Sequence, residues 1–278
     1  MEDELKKLSK EILGINENDN RYSINSRLKY LSKIYGNKGN IKKILIMGIN
    51  PAGEDSSFDE KYIGFIPNML DDDFYKRIKD NIEDYKNYFN INYFRLNYNL
   101  FSNIEPMPKM TWGIDNVNKG ILKEELKEKC NKEIAEEIIN SITEDENDEN
   151  PRLIFVDLIY YHQTDSKGIK KTLNNQYKCN SEFKQNIFNM LDKHIEMFNP
   201  SMIVITNAYV SNLIYSLKEK ENVAVEKITG EMIEKDVLYH NGIPIVLSGM
   251  VSRGNMDNYS YYRLKNRIKE IYDDAKNK

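Results

Sequence analysis

Four short runs in this chain are apolar almost without interruption: residues 44–47, 153–156, 202–205 and 243–247. Each closes on a small or polar residue, respectively Gly48, Asp157, Thr206 and Ser248. Runs of this length, bounded by breakers, suit strands buried on both faces of a parallel sheet. The intervening segments carry a helical period instead. Leu5, Leu8, Ile12 and Leu13 share one face, and Leu28, Leu31, Ile34 and Tyr35 share another. Residues 181–198 form an amphipathic pattern stopped by Asn199-Pro200, because the residue before a proline is driven out of the α region. A helix follows Thr206-Asn207 to about Leu217, and another spans 259–274. Shorter strands are expected at 223–228 and 237–239, with a turn near Gly230.

Strands that alternate with helices predict an α/β domain. The expected architecture is three-layer α/β/α with a central, mostly parallel four-stranded sheet. It occupies residues 1–278 as one domain, with N-terminal helices over 1–40 and a mostly helical insertion over 68–150. Within that insertion, 104–113 reads as a loop.

The exit of the first strand is the most informative turn. Gly48-Ile49-Asn50-Pro51-Ala52-Gly53 places polar groups at the carboxyl end of a buried strand, where open α/β sheets hold ligands. Pro51 fixes one torsion beside Asn50. Asn50 then either faces a crevice or caps a following helix through an Asx turn.

Composition narrows the function classes. Net charge is −4, with 30% charged and 40% apolar residues. An acidic chain counts against a broad nucleic-acid footprint. The excess is uneven, however: Glu144, Asp145, Glu146, Asp148 and Glu149 fall in one expected loop, and the remainder is close to neutral. Cys130 and Cys179 are far apart, and His162, His194 and His240 have no helical pairing, so no metal site and no cofactor are expected. The N-terminus shows no signal-peptide pattern and no apolar run reaches membrane-spanning length, which predicts a cytoplasmic protein without a membrane partner. The abundance of Lys, Asn and Ile suggests an AT-rich bacterial or phage genome.

Gly48-Ile49-Asn50-Pro51 resembles the first motif of the uracil-DNA glycosylase superfamily, most nearly its mismatch-specific thymine/uracil branch. Gly64-Phe65-Ile66-Pro67 resembles the Gly-Phe-Pro-Phe stretch of that branch. Ser248-Gly249-Met250-Val251-Ser252-Arg253 is similar to its second motif with one residue inserted, although Val246-Leu247 replaces the leading Asn-Pro or His-Pro. The stretch 198–205 fits the superfamily's third strand. The likeness covers roughly 41–67, 151–164 and 195–270.

The resemblance implies a base-excision hydrolase that flips a uracil-like or modified base out of double- or single-stranded DNA and cleaves its N-glycosidic bond. Such a reaction needs donors facing the departing base, a positioned water and a dry pocket. Asn50 would position the water, and main-chain groups near Ile49 would face the base. Phe65 would stack on the base or serve as a core aromatic. Asp157 stands where some branches carry an Asn that reads the pyrimidine edge. An ionised Asp only accepts hydrogen bonds, which favours a base bearing an exocyclic amine; otherwise it caps a turn or pairs with a cation. Ser248, Gly249, Met250, Val251, Ser252 and Arg253 would enter the DNA, with Met250 or Val251 as the wedge and Ser252 and Arg253 on phosphates, unless they are an ordinary turn before the last helix. His162 reads more readily as a packing residue, and Lys167, Lys170, Lys171 and Lys178 as a solvated face. Two rivals remain: a catalytically silent module of the same fold that binds modified DNA or nucleotides, and an enzyme acting on free nucleosides. The helical insertion is a candidate platform for a protein partner.

Overall fold

The run Lys43–Gly48 forms strand β1, and every residue from Lys43 to Met47 is buried. A computed structural model describes residues 2–15, 22, 36, 42–49, 99–110, 150–161, 166–219, 237–251 and 256–276. In chain order these form α1 (Glu2–Leu13), β1, β2 (Lys109–Met110), β3 (Arg152–Asp157), α2 (Ser166–Cys179), α3 (Phe183–Phe198), β4 (Met202–Ile205), α4 (Ala208–Glu219), β5 (Val237–His240), β6 (Ile243–Leu247) and α5 (Asn258–Lys276).

The strands make one sheet in the order β2-β3-β1-β4-β6-β5. All neighbours run parallel except β5, which is antiparallel to β6. The four expected core strands are present and contiguous, but the sheet has six strands rather than four. One addition is β2, in a stretch whose sequence reads as loop. The other is β5, which ends in a two-residue hairpin: Asn241 and Gly242 both have positive φ, at 51° and 80°. Asn-Gly supplies that geometry with little strain and matches the twist of the flanking strands.

Alternation along the strands divides the core. Leu45, Met47, Ile154, Val156, Ile203, Ile205, Ile245 and Leu247 point to one face, where they cluster with apolar residues of α1, α2, α3 and α4. Ile44, Ile46, Leu153, Met202, Val204 and Val246 are also buried but lie outside that cluster. Helix α5, with Leu264 and Ile268 fully buried, packs near β6. The arrangement is compatible with a three-layer α/β/α fold.

Helix α1 buries Leu5, Leu8, Ile12 and Leu13, as their spacing predicts. Helix α3 stops at Asn199, whose φ of 44° and N–H to Ile195 carbonyl bond (2.8 Å) form a left-handed cap before Pro200. The second N-terminal helix, the strand at 223–228 and most of the insertion lie outside the described residues.

Candidate functional site

Because β3, β1, β4 and β6 are mutually parallel neighbours, their exits share one edge of the sheet. Chain direction reverses there. From β1 the chain goes out to β2 and β3, whereas from β4 it goes to β5 and β6, so the β1/β4 boundary is a topological switch point. Open α/β sheets form their ligand crevices at that place. The β1 and β6 exits are separated by β4 alone, or about 10 Å at the usual strand spacing.

On the β3 side the edge is a fixed wall. Leu158 N–H donates to the Gly48 carbonyl (3.2 Å), and Ile159 N–H to the Ile49 carbonyl (3.0 Å), which extends the β1–β3 pairing past the strands. Gly48 and Asp157 are register partners. A Cβ at Gly48 would sit 2.7 Å from Asp157 Oδ1, so the missing side chain is what lets the carboxylate lie across the end of β1. Ile49 turns its side chain into the core and leaves only main chain at the edge.

Behind the wall runs a buried polar chain. Ser9 Oγ donates to the Leu5 carbonyl (2.9 Å) and accepts from Tyr160 N–H (2.9 Å). Tyr160 Oη lies 2.6 Å from His194 Nε2, and His194 Nδ1 lies 2.8 Å from the Met190 carbonyl. A carbonyl only accepts, so Nδ1 carries the proton and Nε2 accepts from the tyrosine hydroxyl. Burial pulls the imidazole down to about 4, keeping it neutral. Burial, and then the negative charge of Asp157, push the Tyr160 hydroxyl well above its ordinary range.

At the switch point, Asn207 caps α4: its Oδ1 accepts from the N–H groups of Tyr209 and Val210, both at 3.1 Å. Its Nδ2 is the group it can offer outward. Thr206 N–H donates to the Met47 carbonyl (3.1 Å), which draws this turn against β1. Tyr209 Oη donates to Asn174 Oδ1 (2.8 Å), and Lys170 lies over the Tyr209 ring at 6.0 Å, which brings one lysine of α2 to the β4 exit.

The β6 exit is built differently. Ser248 is buried and exchanges bonds with Ser211: its N–H donates to Ser211 Oγ (3.1 Å), and that hydroxyl donates to its carbonyl (2.7 Å). Beyond it Gly249 faces open space, Met250 is 47% exposed and Val251 is buried. Of the two candidate wedges, Met250 is the one that projects.

The structure thus brings Gly48, Ile49, Asp157, Ser248, Gly249 and Met250 to one edge. Asn50, Phe65, His162, Ser252 and Arg253 lie outside the described residues. No family model, curated protein or solved structure matches this chain.

Sequence reading named Thr206-Asn207 as the opening of a helix but gave Asn207 no place in the site, although its position after an apolar run and before a helical period is a cap signal. It also passed over helix α2, although Ile169 and Leu173 are four residues apart and both buried. The lysines of that segment therefore belong to a helix, with Lys167, Lys171 and Lys178 on its exposed side. Among the described residues no group of His, Cys, Asp and Glu could hold a metal, and no helix is long and apolar enough to cross a membrane.

Proposed function

We propose that the exit edge of this sheet is a base-recognition site, on a uracil-DNA glycosylase-like fold, that hydrolyses the N-glycosidic bond of a modified base in DNA. The observation that carries the reading is the Gly48–Asp157 contact at the exit edge, on the β3 side of the switch point. It sets a carboxylate acceptor directly beside the main chain that leads to Asn50, in the order the resemblance implies. In this reading Asn50, the residue after Ile49, positions the attacking water through its side-chain oxygen. Main-chain N–H groups of the turn stabilise the departing base, and Met250 fills the gap left in the stack.

Asp157 sets the substrate class. Its oxygens accept from an exocyclic amine and repel a carbonyl, so the preferred base bears an amine at the edge it presents. The start of α4 adds a positive end of a helix dipole at the β4 exit, suited to a phosphate. Asn50 is a weaker activator of water than a carboxylate, so turnover is slow. The rival reading, a silent module that binds modified DNA, is favoured by the net charge of −4 and by the altered second motif.

An abasic-site assay separates the two. Oligonucleotides carrying uracil, a T:G mismatch, hypoxanthine or modified cytosines are incubated with the protein and then with alkali. Strand scission that disappears in Asn50→Ala supports cleavage; tight binding without scission supports the silent module.

A further inference from the structure

Helix α2 has an outer side that the base-recognition reading leaves unused. Its inner side is apolar, with Ile169 and Leu173 buried. Its outer side is the stripe Lys167, Lys171, Asn175 and Lys178, at helical spacing and exposed throughout. Residues 166–181 contain four lysines and no carboxylate. Every other described helix carries at least one Asp or Glu.

On those other helices cations are matched. Lys7 pairs with Glu11 at 3.7 Å, Lys193 with Glu196 at 2.8 Å, Arg267 with Glu270 at 3.1 Å, and Lys269 with Asp273. On α2, Lys167 is engaged elsewhere in the structure, which leaves three cations to count. Lys170, Lys171 and Lys178 pair with no carboxylate among the described residues. The neighbouring Glu11 of α1, whose carbonyl lies 3.5 Å from Asn180 Nδ2 just past α2, is taken by Lys7. The first carboxylate after the stripe is Glu182, beyond the end of the helix.

The stripe begins at the exit edge of the sheet. Tyr161, four residues past β3, is buried there, and only residues 162–165 separate it from the start of α2. Tyr209, in the first turn of α4 at the β4 exit, has its hydroxyl 3.3 Å from the Lys170 carbonyl, and the Lys170 ammonium lies over its ring. From that level the cations run away from the edge. Lys171 and Lys178 lie on one face of α2, about 10 Å apart along the axis. That is about three nucleotide steps at about 3.4 Å per step along one strand.

We infer that Lys170, Lys171 and Lys178 form a contact surface for the phosphate backbone of DNA that enters the exit edge over α2. A row of cations without carboxylates fits a polyanion, and its continuity with the base site says which one. The net charge of −4 does not oppose this, because five of the carboxylates stand together within 144–149. The inference goes beyond the glycosylase reading by naming where the backbone runs, and rests on that reading for DNA as the polymer.

The test is fluorescence anisotropy of the full chain with a labelled twenty-base-pair duplex, titrated between about 50 and 200 mM salt. The Lys171→Gln/Lys178→Gln variant should bind more weakly whatever the duplex sequence. Its plot of log affinity against log salt should be shallower by about 1.8, and that of Lys170→Gln by about 0.9. Lys171→Arg/Lys178→Arg should keep the parent slope, as should Lys193→Gln on α3. The outer lysines are exposed, so the double variant should melt like the parent. An unchanged slope in the double variant, or no duplex binding by the parent, would overturn the inference. So would lysine changes that weaken binding of polyglutamate but not of DNA, which would make α2 a protein-docking face. Lysine-dependent binding without base release anywhere in the oligonucleotide panel would leave the backbone contact standing and remove the glycosylase. Base release with lysine-independent binding would do the reverse.

Discussion

The β3 and β6 exits lie on the same edge of the same sheet, yet they are built on opposite principles. After β3 the chain stays inside: Leu158, Ile159, Tyr160 and Tyr161 are all buried, and their polar groups are tied to β1, α1 and α3. After β6 Ser248 is tied to Ser211 and Val251 is buried, while Met250 between them is 47% exposed. On the proposed reading, a wall bonded to its neighbours and a loop that projects are the two halves of a site that reads one base and displaces another. Fixed groups give discrimination because an unmatched partner cannot be accommodated by relaxation, while an exposed apolar tip can enter a gap at little folding cost.

The contrast predicts unequal sensitivity, and the largest effect should be acid. His194 protonates near 6.5 in the unfolded chain but only near 4 when folded. Its contribution is complete above 6.5, declines as pH falls and is fully lost below about 4. The total is about 3 kcal/mol. Urea titrations between pH 7 and 4 should show this loss, and His194→Gln should flatten its upper part. An unchanged slope in that variant would remove the buried imidazole from the account.

Tyr160→Phe should come next, at about 1–3 kcal/mol, because it leaves Nε2 of a buried imidazole without a donor. Chemical denaturation measures it. On the β6 side, Ser211→Ala removes both bonds to Ser248 and should cost about 1 kcal/mol. If the serine change cost as much as the tyrosine change, the two exits would be equally anchored and the comparison would fail.

These contrasts were only partly legible in the residues. The four core strands announce themselves, since short apolar runs ending in Gly48, Asp157, Thr206 and Ser248 have few other uses in an α/β chain. β2 did not, because two residues at a sheet edge carry no period. β5 was expected as a short strand at 237–239, but not as part of the central sheet, although Asn241-Gly242 marks the hairpin that pairs it with β6. Asp157 was singled out from its place at a strand end, but its contact with Gly48 required the β1–β3 register, which no local pattern encodes. The Ser9–Tyr160–His194 chain joins residues up to 185 positions apart, and sequence alone gives no reason to connect them.

A smaller effect separates folding from recognition. Met250→Ala should change stability by less than about 0.5 kcal/mol, since the side chain is half exposed. Its affinity for DNA should nevertheless fall, which anisotropy would show. Gly48→Ala sharpens the other half of the comparison. Its Cβ would displace the Asp157 carboxylate, so its effect on base choice should vanish in an Asp157→Ala background, as a double-mutant cycle would show.

The most direct measurement is chromatography of free base released from oligonucleotides that carry either an amine-bearing modified cytosine or uracil. The wild-type chain should release the amine-bearing base, and Asp157→Asn, which gains a donor at that edge, should shift release toward uracil. Failure of both proteins to release either base, or release by the wild type that is indifferent to Asp157, would contradict a carboxylate-lined base site at this edge.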